Sequence, residues 1–335
     1  MCRRASCLAA AGSFAALAFT LAAPLRAQTH TDSLCRPTLA PRATGGPQVA
    51  DTAFAPRIPR PAFGTGAGPR VLLDEAHNNF HTVDGRYAPF AKLLRRDGYT
   101  IEPLRAKFSR ASLAPAKILV IANPVAPRNL GGNWTLPTPS AYAADEIAAL
   151  HQWVLEGGSL FLIVDHMPFG GAAADLASAF GVYMTNGYAT DRLCGADEFV
   201  FARADGSLRD HPVVRGRSAA ERVTSVRTFT GQAFRGDSTV KPLFVLAPET
   251  VLLLPVEAWK FSESTPRMAA DGMLQGATLT PGKGRVAVFG EAAMFSAQVS
   301  GAERRPMGMN ADNAPQNVQF LLNVMHWLSR ILPAK

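Results

Sequence analysis

Residues 71–73, Ile118–Ala122 and residues 160–164 form runs without a single polar residue. A half-exposed strand alternates apolar and polar side chains, because successive residues face opposite sides. Strands that lack this alternation need both faces covered. The segments between the runs have a helical period. Residues 87–97 place Phe90, Leu93 and Leu94 inward, with Asp84 as the expected cap and Gly98 at the end. Residues 142–156 start after Ser140, stop at Gly157-Gly158, and present Ile147, Leu150, Trp153 and Val154 on one stripe. Residues 171–180 make a third helix of small residues. With Thr100–Leu104 as a further strand, buried strands alternating with helices predict an α/β fold around a parallel sheet.

Beyond Gly181 the pattern becomes β-rich. Residues 198–202, 223–229, 243–246 and 251–254 read as strands, and residues 274–280 and 285–289 bracket a Pro281-Gly282-Lys283-Gly284 hairpin turn. A final helix runs from Asn313 to Arg330, burying Val318, Leu321, Leu322, Met325 and Leu328. Met307, Met309 and Asn310 are expected in the loop before it, the methionines for packing and Asn310 and Asn313 for locking or capping.

The polar residues that stop the strands carry the chemistry. Residues 71–73 break into Asp74, Glu75, His77, Asn78, Asn79 and His81. Asn123 ends the next run, Asp165-His166 the next, and Glu291 follows residues 285–289. Ligands of open α/β sheets bind beyond the carboxyl ends of the strands. Asp74, Glu75, His77, Asn78, Asn79, His81 and Asn123 are therefore candidate ligand-binding groups, and Asp165, His166 and Glu291 candidate catalytic groups. His77, His81 and Asp165 could hold a divalent cation, the one cofactor this set suggests. The H-x3-H spacing of His77 and His81 aligns ligands on a helix, but here it falls in an Asn-rich loop. The competing reading is a polar network that shapes a pocket, since an acid at a strand end also bonds loop amides. His211, before Pro212, either presents an imidazole or makes a turn. The chain has no G-x-S-x-G elbow, P-loop or G-x-G-x-x-G motif.

With 335 residues and a hydrophobic fraction of 47%, the chain has material for a large core. Its net charge of +8 is scattered without a Lys/Arg block, which argues against nucleic acid as a partner. Residues 1–27 read as a secretory signal: Arg3 and Arg4, an apolar stretch, then Pro24 and Ala27 before Gln28. The alternative, an uncleaved anchor, has a short apolar run, so no stable membrane insertion is expected after cleavage. Residues 28–69 read as a Pro-rich tail or linker lying over the domain, and residues 70–335 as the domain. Export implies a periplasmic or secreted protein. Cys2 and Cys7 leave with the signal, so Cys35 and Cys194 are either a disulfide or two free thiols.

The segments ILVIANP, EGGSLFLIVDH, DHPVVRG, GKGRVAVFGEAAMFSAQ and DNAPQNVQFLLNVMHWL together resemble the class I glutamine-amidotransferase-like superfamily. Within it, the chain looks like the branch of ThuA-like proteins and of domains found beside gliding and transport components. The resemblance implies a flavodoxin-like three-layer sandwich with a mostly parallel central sheet, an added β-rich C-terminal portion, and a site at the strand mouths. Active amidotransferases carry a nucleophilic Cys just after the strand that matches residues 160–164. Here that stretch reads Asp165-His166-Met167-Pro168-Phe169-Gly170, without a thiol, and the downstream His-x-Glu pair has no clear match. Thioester chemistry on glutamine is therefore not expected. Two functions stay open: binding of a small-molecule, carbohydrate or cell-envelope ligand, and hydrolysis through Asp74, His77, His81, Asp165 and His166, with or without a divalent metal.

Overall fold

The computed structural model describes residues 48–191 and 198–335. The signal segment, the first part of the tail, and all four cysteines, with the expected Cys35–Cys194 pair, lie outside these residues.

The central sheet has nine strands: β1 (Arg70–Asp74), β2 (Thr100–Leu104), β3 (Ile118–Ala122), β4 (Ser159–Ile163), β5 (Val182–Met184), β6 (Phe234–Gly236), β7 (Lys241–Val245), β8 (Leu274–Leu279) and β9 (Arg285–Phe289). Strands β2, β1, β3, β4 and β9 lie side by side in that order and are all parallel. Counting β9 as the fifth parallel strand, this is the 2-1-3-4-5 order of flavodoxin-like sheets, whose switch point falls between β1 and β3.

The expectation of a mostly parallel sheet needs correction. Beyond β9, β8 runs antiparallel to it, β7 and β6 run antiparallel to β8, and β5 antiparallel to β6. The reason is connection length. The Pro281–Gly284 turn, closed by a Gly284 N–H to Pro281 O bond of 2.8 Å, joins β8 to β9 directly. A parallel neighbour would need a crossover of a dozen or more residues.

The unbroken apolar strands divide between two cores. Val71, Leu73, Val120, Ala122, Phe161, Ile163 and Phe289 face one side, against α1 (Ala88–Arg96) and the C-terminal helix. Leu72, Leu119, Ile121, Leu160, Leu162 and Val288 face the other, against α2 (Ala144–Leu155) and α3 (Phe169–Ser178). The C-terminal helix is α4 (Asn317–Leu328). Period-two alternation sends neighbouring residues into opposite cores, so every position must be apolar.

Helix boundaries differ from expectation at the caps. Asp84 is exposed and α1 begins at Ala88, with Pro89 in its first turn. The Val83 amide is taken instead by Glu75 Oε1 at 3.0 Å. α4 starts at Asn317, not at Asn313. In α2, Leu150 and Val154 are buried, while Ile147 and Trp153 are half-exposed. Short strands at 188–191, 267–269 and 297–300 escaped the sequence reading, as did Arg305–Gly308, which contains Met307 and so corrects its placement in a loop. The described part of the tail lies on the domain. Val49–Ala50 pairs with Ala297–Ser300, and Ala62 N–H donates to Asp97 Oδ1 at 2.7 Å.

Candidate active site at the strand mouth

Because β1, β3, β4 and β9 are parallel neighbours, their carboxyl ends emerge on one edge. Asn123 ties the loops there together. Its Oδ1 accepts the Asp165 amide at 2.8 Å, its carbonyl accepts the Phe80 amide at 2.8 Å, and its Nδ2 donates to His81 Nδ1 at 3.4 Å. Its φ of +60° is left-handed, a region that Asn tolerates better than most residues.

At the β1/β3 switch point the crevice is filled by the chain itself. Asp74 is fully buried and accepts from Asn79 Nδ2 at 2.6 Å, from His77 Nδ1 at 2.9 Å and from the Ala76 amide at 3.0 Å. His77 Nε2 meets Glu146 Oε1 at 2.9 Å, and the ring lies against Tyr142 and Phe108. Carboxylates only accept, so both ring nitrogens donate and the ring is an imidazolium. Burial by itself would lower its pKa; the Asp74 hydrogen bond and charge, with those of Glu146, outweigh that and raise it above 6.5. Asn79 Oδ1 accepts the Ala122 amide at 2.8 Å and so joins the exit of β1 to the end of β3. Glu75 pairs with Arg105 at 3.2 Å, and Asn78, exposed at φ +50°, donates to Val125 O at 3.4 Å. Glu146 was missed in the sequence. Its signal was that of a capping acid, the third residue of α2, whose Oε2 accepts the Ala143 amide at 3.2 Å.

His81 is packed on Tyr87, at the opposite core from His77. Burial, then the Arg86 charge, push its pKa down to about 3. The three candidate metal ligands are thus not drawn together, and among the described residues no three His, Cys, Asp or Glu side chains could hold a metal ion. Glu291 is fully buried and accepts the Ala293 and Met294 amides at 2.6 and 2.8 Å. Burial, with the Asp165 charge nearby, raises its pKa well above the ordinary carboxylate range. Its carboxylate is committed to the turn that follows β9.

Asp165 and His166 follow β4 at the same edge, and each is 6% exposed. Asp165 Oδ1 accepts the His166 amide at 2.8 Å and Thr230 Oγ1 at 3.3 Å. His166 Nδ1 donates to Met167 O at 2.7 Å, so in the neutral ring Nε2 carries the lone pair. Nε2 has no hydrogen-bond partner among the described residues; Asp165 Oδ1 lies 3.9 Å away. Aromatic rings surround the imidazole. It stacks on Tyr188 with centroids 4.5 Å apart and 15° between planes, meets Trp259 edge-on at 4.5 Å, and has Phe169 at 5.6 Å and Trp134 at 6.5 Å.

Two loops carry the tryptophans. They are joined by a Thr135–Glu257 bridge, by Leu136 N–H to Val256 O at 2.9 Å, and by Ala258 N–H to Trp134 O at 2.9 Å. Trp259 has φ +66°, a conformation that a bulky residue holds only under constraint from its surroundings. The paired loops expose a rim of Leu130 (47%), Leu136 (46%), Val256 (71%) and Trp259 (37%). Tyr188 and Trp259 gave no local signal, because the strand and loop that bring them to His166 come from the β-rich part.

No protein-family model matches the chain, and no curated protein matches it. Among solved structures it is similar to the mmIFT52 N-terminal domain, at 14% identity and TM-score 0.53, over 77% of this chain and 97% of that one. It is also similar to a ThuA-like protein from Bacteroides uniformis, at 13% identity and TM-score 0.43, over 82% and 94% of the two chains. A ThuA-like protein from Parabacteroides merdae aligns at 11% identity and TM-score 0.44, over 80% and 92%. At such identity the first likeness speaks for the fold alone, and the two ThuA-like likenesses are too distant to carry an argument.

Proposed function

We propose that this chain is an exported binding protein on an amidotransferase-like scaffold, without amidotransferase activity, and that it holds a carbohydrate or cell-envelope glycan at the mouth around His166. The supporting observation is the aromatic wall of Tyr188, Trp259 and Trp134 around one imidazole, under an exposed apolar rim. The C–H faces of a sugar ring are apolar and pack on aromatic faces, while its hydroxyls need polar partners. His166 Nε2 accepts from a hydroxyl, and Asp165 supplies a second acceptor. The rest of the polar set, Asp74, His77, Asn79 and Glu291, holds the walls in place.

Calorimetric titration with chito-oligosaccharides and soluble peptidoglycan fragments tests this. Saturable binding that Trp259→Ala weakens about tenfold, the loss of one stacking contact, is the expected result. No binding to any of these, or equal binding by the variant, rejects the reading.

A hydrolase at the same mouth is the second reading, favoured by His166 Nε2, which has no hydrogen-bond partner among the described residues, beside Asp165. It rests on those two residues, since the Asp74 and His77 side chains are consumed by their own contacts. Turnover of a glycosidic, ester or amide substrate that disappears in His166→Ala would support it; a panel without turnover removes it.

A further inference from the structure

The edge of the sheet opposite the mouth has a site of its own. Leu279 of β8 pairs with Val286 of β9, which places Thr278 to Thr280 at the amino end of the parallel strands. A cavity of about 950 Å³ opens there, between residues 209–215 (which include the short helix Pro212–Arg215), the start of β7 and the end of α4. That is the upper range for small-molecule sites, about 300–1,000 Å³.

Its lining joins two chemistries. Pro242, Val245 and Ala334 supply accessible apolar surface over the buried Leu274, Leu279 and Trp327, and Arg209, Arg215, Lys241 and Lys335 supply positive charge beside the Asp210 carboxylate. Asp210 is already engaged, with Arg215 Nη1 at 2.5 Å. The exposed side chains of Arg209 and Lys241 have no partner among the described residues. The Trp327 ring is held in place: Arg285 lies over it with Cζ 5.1 Å from the centroid, and His211 meets its edge at 5.2 Å. His211 Nε2 is 3.2 Å from Thr278 Oγ1. Burial, followed by the Arg215 charge, holds this imidazole down at about 4, so it is neutral near pH 7. A half-buried neutral imidazole and the aliphatic surface of Pro242, Val245 and Ala334, beside two cations without a partner among the described residues, form a surface for a ligand with an apolar body and an anionic end.

We propose that this cavity binds an amphipathic anion, an organic phosphate or carboxylate whose body lies on Pro242, Val245 and Ala334 and whose charge meets Arg209 and Lys241. The two anionic groups share one recognition chemistry, and the experiment separates them. The full chain is titrated calorimetrically with octyl phosphate, octanoate and inorganic phosphate. Saturable one-to-one binding of an octyl ligand, at least about tenfold tighter than inorganic phosphate and weaker at about 500 mM than at about 50 mM salt, is expected. Preference for octyl phosphate assigns a phosphate, and equal or better binding of octanoate a carboxylate. Arg209→Glu with Lys241→Glu, both at exposed positions, weakens binding about tenfold or more with an unchanged melting temperature. Trp259→Ala at the mouth leaves it unchanged. Absence of saturable binding, binding of the double variant equal to the parent, or loss on Trp259→Ala alone overturns the proposal.

Discussion

At the scale of single residues, the structure assigns opposite pH behaviour to two histidines four positions apart. His77 has a raised pKa, so its contribution to stability is complete below 6.5 and is lost as pH rises through its folded value. His81 works the other way. Its folded pKa is about 3, whereas the unfolded chain takes a proton near 6.5. Stability is therefore present above 6.5 and falls with acid, by about 1.4 kcal/mol per pH unit, or roughly 2 kcal/mol at pH 5. His211, at about 4, has the same sign. Thermal melts between pH 8 and pH 5 should show the acid limb, and His81→Phe should flatten it; an unchanged slope would remove His81 as its source. The buried Asp74–His77–Glu146 arrangement makes a second prediction. Asp74→Asn leaves a buried cation short of a partner and should cost about 3 kcal/mol in denaturant unfolding. A loss below about 0.5 kcal/mol would mean that the network adds little.

At the scale of elements, the turn after α1 shows how local sequence meets tertiary contact. Gly98 closes α1 at φ +97°, and a Cβ there would lie 2.6 Å from Phe63 O of the tail segment. Left-handed backbone alone costs a non-glycine residue about 1 kcal/mol, and the backbone clash adds to it. Gly98→Ala should lose more than about 2 kcal/mol in urea unfolding, well beyond the cost of a simple helix-end change. The glycine was legible as a helix stop. The tail that crowds it is expected to lie over the domain as a tail or linker, but with no period in residues 48–69 the anchoring bonds are not legible, since they reach residues far along the chain.

At the scale of the whole molecule, the tail becomes part of the domain. Asp97 is fully buried; its Oδ2 accepts His326 Nε2 of α4 at 2.7 Å, and its Oδ1 accepts the Ala62 amide. One carboxylate thus joins the tail, α1 and α4. Removing residues up to Pro69 should expose this pair and lower the melting temperature by several degrees, since about 1 kcal/mol shifts a chain of this size by roughly 2–4 °C. An unchanged melt would show that the tail rests on the fold without supporting it.

The sequence by itself determined the parallel half of the sheet and the edge where its polar residues emerge. Unbroken apolar runs have no other stable arrangement than cover on both faces, and parallel strands must end together. Tertiary structure decided what those polar residues do. Asp74, His77 and Glu291 turned inward to satisfy one another and the loop amides, because a buried polar group without a partner is costly. It also decided that His166 stands among rings contributed by residues 134, 188 and 259. Contacts between segments that far apart depend on how the β-rich half folds back over the mouth, which no local period encodes.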